Sequence, residues 1–137
     1  MINKIFIVSF TIFLFLFLFF QPKIVNVNFA EEISLKYNSF DKQIDVKITD
    51  EQDINELKKM FKNKIGIRDT IYCGFHPKAY LEFKSSTKTI KVFPASDGCA
   101  SYRINNTNQY LSGDAKFNEQ FKKIVGKYDM TFPFPEW

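Results

Sequence analysis

The chain is poor in the side chains that catalysis and metal binding most often use. It has one histidine and two cysteines in 137 residues. A single histidine, His76, excludes any multi-histidine metal site. Two cysteines, Cys73 and Cys99, allow at most one internal disulfide. There is no Gly-rich phosphate loop, no G-x-S-x-G and no H-E-x-x-H. No linker, low-complexity tract or residue-level repeat interrupts the chain. Acidic side chains are absent before Glu31, and all 15 lie from Glu31 onward. The formal charge is +4, but residues 31–137 carry 17 basic and 15 acidic groups, so 17 − 15 = +2. That balance gives no electrostatic case for a nucleic-acid partner.

What the N-terminus does have is apolar bulk. Lys4 is followed by an uncharged, largely apolar run from Ile5 to Phe20, which Gln21 and Pro22 end. Ala30 then precedes the acidic pair Glu31 and Glu32. This is the n-, h- and c-region order of a secretory signal peptide, although Asn28 sits where a smaller residue is preferred. The run also approaches the roughly 20 residues that span a bilayer. Residues 1–30 therefore read as a cleaved signal or, if retained, a membrane anchor through residues 5–22. Residues 31–137 read as one exported domain, secreted in the first case and held outside the cytoplasm in the second. The segment has no polar face, so a buried helix of a soluble protein does not explain it.

Within the domain, periodicity predicts alternating hairpins and helices. Ile33, Leu35 and Tyr37, then Ile44, Val46 and Ile48, alternate with polar residues around the turn at residues 38–42. A helix follows, with Thr49 and Gln52 as a capping box, a stripe of Ile54, Leu57, Met60 and Phe61, and Gly66 as its stop. Lys58, Lys59, Lys62 and Lys64 crowd its last turns, where a solvated face complementing the helix dipole explains them. A second hairpin centres on residues 85–88, and a further strand with a polar turn lies in residues 101–111. Asn105 there begins an N-x-T triplet. The last helix carries Phe117, Phe121, Ile124, Val125 and Tyr128, with Ser112 or Asp114 as its cap. The tail ends in Phe132, Phe134 and Trp137 between prolines and is expected to pack on its own domain. The order ββαβββα predicts an α+β two-layer sandwich, an antiparallel sheet of about five strands with two helices on one face.

The informative stretch runs from Cys73 to Cys99. The spacings C-x-x-H (Cys73, His76) and D-x-C (Asp97, Cys99) admit three readings: a zinc site of Cys73, His76, Asp97 and Cys99, a thiol nucleophile with His76 as base, or a disulfide. Hairpin symmetry favours the third. A turn centred near residue 86 pairs residues whose numbers sum to about 173, and 73 + 99 = 172. An exported chain with two cysteines also tends to oxidise them.

If both helices cover one sheet face, the other presents Lys36, Lys47, Tyr80, Lys91, Phe93 and Arg103. Such a face suits a protein, peptide or polymer partner, unless the C-terminal tail covers Phe93 and Tyr80. The leading expectation is a non-enzymatic exported domain that binds a macromolecule or serves as an accessory at the cell surface, needing no cofactor. The rival is a small secreted hydrolase or a thiol- or zinc-dependent enzyme using Cys73, His76 and Cys99.

Overall fold

A computed structural model describes residues 9–15, 24–62, 64–65, 73–107 and 109–133. Residues 9–15 form a helical segment (α1). The strands are β1 (Ile24–Val25), β2 (Glu32–Asn38), β3 (Gln43–Lys47), β4 (Lys64–Ile65), β5 (Ala79–Lys84), β6 (Thr89–Pro94), β7 (Ser101–Ile104) and β8 (Tyr110–Ser112). Two further helices, α2 (Glu51–Phe61) and α3 (Ala115–Gly126), complete the domain. Among the described residues no helix is long and apolar enough to cross a membrane.

The main sheet has six antiparallel strands in the order β3-β2-β5-β6-β7-β8, and β1 pairs with β4 in a separate two-stranded ribbon. The sheet is one strand wider than the sequence predicts, because Tyr110–Ser112 returns along β7 as a strand of its own. Period-two alternation sets the register. Leu35, Leu81, Val92 and Ile104 sit opposite one another in successive strands, as do Ile33, Phe83 and Ile90. A one-residue slip would turn these side chains to the other face, so burial fixes the pairing. The second hairpin has the expected symmetry: Leu81 faces Val92 and Glu82 faces Lys91.

Both α2 and α3 cover one sheet face. Leu57 and Phe61 of α2 and Phe121 and Val125 of α3 are fully buried. Phe61 meets Phe83, Tyr102 and Phe117 edge-on at centroid distances of 5.7, 5.5 and 5.3 Å. Such edge-to-face pairs add about 0.5–1.5 kcal/mol each beyond the area they bury. Each helix is capped by an aspartate. Asp50 accepts from Asp53 N (3.0 Å), and Asp114 accepts from Phe117 N (2.7 Å). The cap of α2 is thus Asp50, one residue after the expected Thr49, and Gln52 reaches along the helix to Glu56. Helix α2 ends at Phe61, with Lys62 already extended. Gly66, the expected stop, lies outside the described residues. Lys58 is half-buried and donates to Ala30 O (2.6 Å), so it is not part of a purely solvated face.

Residues before the expected domain start are built into the core. Val25, Val27 and Ala30 are buried, and Phe29 packs against the same cluster. Ala30 N donates to Val27 O, and Glu31 N donates to Lys84 O at the end of β5. Burying a valine side chain stabilises a fold by about 1.5–3 kcal/mol.

One buried charge ties the helices together. Asp53, 1% exposed in the first turn of α2, accepts from Lys127 Nζ (2.6 Å) and Tyr128 OH (2.9 Å), just past the end of α3. Buried carboxylates persist where they are paired and hydrogen-bonded. Desolvation, then the bond to Asp53, pushes the Tyr128 phenol up to about 12. The bond to Asp53 also raises Lys127. The chain then turns through Asp129, at φ 60°, and buries Met130 and Phe132. Phe132 stacks edge-on against Phe121 (5.2 Å), so this part of the tail packs on the helix layer. Phe134 and Trp137 lie outside the described residues.

Truncating Phe61 to alanine is expected to cost about 3–5 kcal/mol in denaturant unfolding, as for other buried Phe→Ala changes. Val46→Ala, on the same sheet face but 36% exposed at the edge strand, should cost under about 1 kcal/mol. A second expectation concerns alkaline pH. The folded Tyr128 resists ionisation up to about 12, whereas the unfolded chain ionises near 10. Its contribution is therefore complete below pH 10 and is lost as pH rises towards 12. Chemical denaturation across that window should show stability falling, and Tyr128→Phe should flatten part of the fall.

Candidate binding face and the Cys73–Cys99 bond

The face opposite the helices is built by the alternate residues of the strands. All six expected positions lie on it. Lys36 pairs with Asp45 at 2.5 Å, and Lys47 with Glu32 at 2.7 Å. The bond to Asp45 raises the Lys36 pKa, and the bond to Lys47 lowers that of Glu32. These pairs are at least partly solvated, so each adds little to stability. Further along the sheet Lys91 lies 3.6 Å from Glu82 and 4.7 Å over the Tyr80 ring.

The centre of the face is aromatic. Tyr80 and Phe93 pack with centroids 5.1 Å apart. The Arg103 guanidinium lies 4.9 Å from the Phe93 centroid and 5.4 Å from that of Phe75. Phe75 in turn contacts Tyr110 at 5.3 Å. Cation–π contacts of this kind contribute about 0.5–2 kcal/mol, more when desolvated. Phe93 is 3% exposed, so a partner would meet the groups around it and not Phe93 itself. Phe75 and Tyr110 complete the row, and sequence reasoning had not placed them there. Phe75 comes from the loop before β5, bridged to Ala95, and no strand alternation marks it. Tyr110 belongs to β8, a sixth strand beyond the five that the sequence predicts.

The disulfide places Phe75. Cys73 and Cys99 are bonded, with Cα atoms 6.3 Å apart, at the open end of the β5–β6 hairpin. Beside the bond, Ser96 donates to Gly74 O from its backbone N (2.8 Å) and its Oγ (3.0 Å). A Cβ on Gly74 would come within 3.1 Å of that Oγ, so glycine permits the approach. On the other strand Asp97 Oδ1 accepts from Cys99 N (3.0 Å) in a turn where Gly98 takes φ 81°. Asn118 of α3 donates to Gly98 O (2.7 Å), anchoring this loop to the helix layer.

The four proposed zinc ligands do not converge. Cys73, Asp97 and Cys99 cluster within 4.8 Å, but His76 is not in that group. Its Nδ1 accepts from Lys78 N (3.2 Å) within its own turn, and its ring lies 6.1 Å from that of Tyr37. Partial burial, and then the charge of Lys78, hold His76 below the ordinary imidazole pKa. Both sulfurs are committed to each other, so neither supplies a thiolate to a metal or a substrate. No protein-family model matches this chain, and no curated protein or solved structure matches it either.

Intact mass after alkylation of the native protein should show no added label, and two labels once it is reduced. Replacing both cysteines by serine opens a 27-residue loop and is expected to cost about 3.5 kcal/mol in the chain-entropy treatment. Two labels without reductant would contradict the bond.

Proposed function

We propose that this is a non-catalytic domain working outside the cytoplasm, which binds a protein or peptide partner across the open face of its sheet. The single observation that carries this reading is the Cys73–Cys99 bond. It suits an oxidising compartment. It takes up both thiols on which the rival enzyme depends. It also pins the loop that brings Phe75 beside Arg103.

The chemistry of the face supports an acidic or carboxylate-bearing segment as the ligand. Lys36, Lys47 and Lys91 each have a carboxylate neighbour on the sheet. Arg103 has ring partners instead, and its Nε is buried with no hydrogen-bond partner among the described residues. A guanidinium held between aromatic groups is pre-organised for a carboxylate, which it can meet with two parallel N–H donors. Tyr80 and Tyr110 beside it offer flat apolar contact with little rotamer entropy to lose. The apolar N-terminal run supplies the route of export in this reading.

A panel of immobilised acidic and neutral peptides tests it. Acidic peptides should be preferred, and Arg103→Gln and Tyr80→Ala should each weaken binding about tenfold or more without loss of the circular-dichroism spectrum. Lys122→Gln, on the exposed side of α3, should bind as the parent does. Equal binding by all three variants would remove the sheet face from consideration.

A further inference from the structure

We propose that the apolar N-terminal run is kept as a membrane anchor, and that the folded domain starts at Ile24 beside the outer surface of the bilayer. This does not depend on what the sheet face binds.

Three observations lead there. First, processing after Ala30 would remove part of the core. Val25, Val27 and Ala30 are buried in it, Phe29 packs on it, and Lys58 of α2 donates to the Ala30 carbonyl. The β1 strand also pairs with β4, Ile24 opposite Ile65 and Val25 opposite Lys64. A chain beginning at Glu31 would lose all of these contacts. Second, no earlier position offers a cleavage site. Signal processing requires small side chains at the cut. From Ile12 to Phe29 the sequence "IFLFLFLFFQPKIVNVNF" contains no Ala, Gly, Ser or Thr. Ala30 is the first small residue after the apolar run, and its partner position holds Asn28.

Third, the described part of the run is a helix without a polar face. Residues 9–15 are helical, and Phe10, Ile12, Phe13, Leu14 and Phe15 are all exposed. A helix apolar all round belongs in lipid or in a large core. The core cluster draws on the sheet, α2, α3 and residues 25–30 and includes none of residues 9–15. A helix of 16 residues, the length of the run from Ile5 to Phe20, would measure about 24 Å, enough for most of the hydrocarbon layer. Lys4 stands before it, as expected for the cytoplasmic side. Only Gln21, Pro22 and Lys23 separate the run from Ile24, so the domain is held within about 14 Å of the membrane surface.

The test uses the full chain with its own N-terminus, expressed in a bacterial host that exports it and separated into membrane and soluble fractions. The expected result is a chain that stays in the membrane pellet through a carbonate wash and whose N-terminal peptide still includes residues 5–20 by mass spectrometry. Recovery of protein beginning at Glu31, or anywhere beyond Phe20, would overturn the proposal. The purified full chain, reconstituted from detergent with phosphatidylcholine vesicles, provides a second readout that does not depend on export. Flotation with the vesicles that resists carbonate supports the anchor. A full chain left at the bottom of the gradient would also overturn it.

Discussion

Tyr102 is the side chain on which the two layers meet. It stands on β7, fully buried, with its ring against Phe61 of α2 and Phe117 and Phe121 of α3. A buried phenol needs a hydrogen-bond partner, because an unmet hydroxyl in the core costs about 1–3 kcal/mol. Tyr102 OH finds it in Asn118 Oδ1, whose amide nitrogen donates to Gly98 O beside the disulfide. Burial drives the Tyr102 pKa well above its ordinary value, so the hydroxyl remains a donor at any physiological pH. Sheet, both helices and the Cys99 loop are therefore joined through one residue. Moving α3 relative to the sheet would break a ring cluster and strand polar groups together.

The same arrangement explains why the two sheet faces differ in character. The helix face is apolar and rich in aromatics, with Phe61, Phe83, Phe117, Phe121 and Phe132 in one buried cluster. The opposite face is held by ion pairs at the β2–β3 end and by cations over rings at the β6–β8 end. The disulfide belongs to both. Through Gly98 and Asn118 it is tied to the helix layer, and through Phe75 it shapes the open face. The bond thus stabilises the fold and positions one wall of the candidate binding surface.

Much of this was legible in residue order. Alternation placed Ile33, Leu35, Tyr37 and Ile44 on the inner face, and helical spacing placed Leu57, Phe61, Phe117 and Phe121. Hairpin symmetry brought Cys73 and Cys99 together. Strand β8 was missed because three residues, Tyr110–Ser112, are too few to show a period. The cap was misplaced by one residue because Thr49 and Asp50 are both good caps, and only backbone geometry chooses between them. Phe93 was expected at the surface because alternation tells which face a residue points to, not what lies over it. Arg103 of the next strand lies over its ring and Tyr80 packs beside it, and the pattern within one strand does not record its neighbours in the next.

Sequence alone determined which residues face inward, where the helices run, and that two cysteines lie at the open end of one hairpin. These follow from local geometry, a repeat of 2 or 3.6 residues imposed by the backbone itself. Tertiary structure alone decided the rest. It buried Asp53 with Lys127 and Tyr128 across 74 and 75 positions. It drew Val25, Val27 and Ala30, all before the expected start at Glu31, into the core, and it left His76 outside the group of Cys73, Asp97 and Cys99. Such contacts arise between segments far apart in the chain, where the gain from burial and pairing outweighs loop-closure entropy, and no pattern within either segment records them.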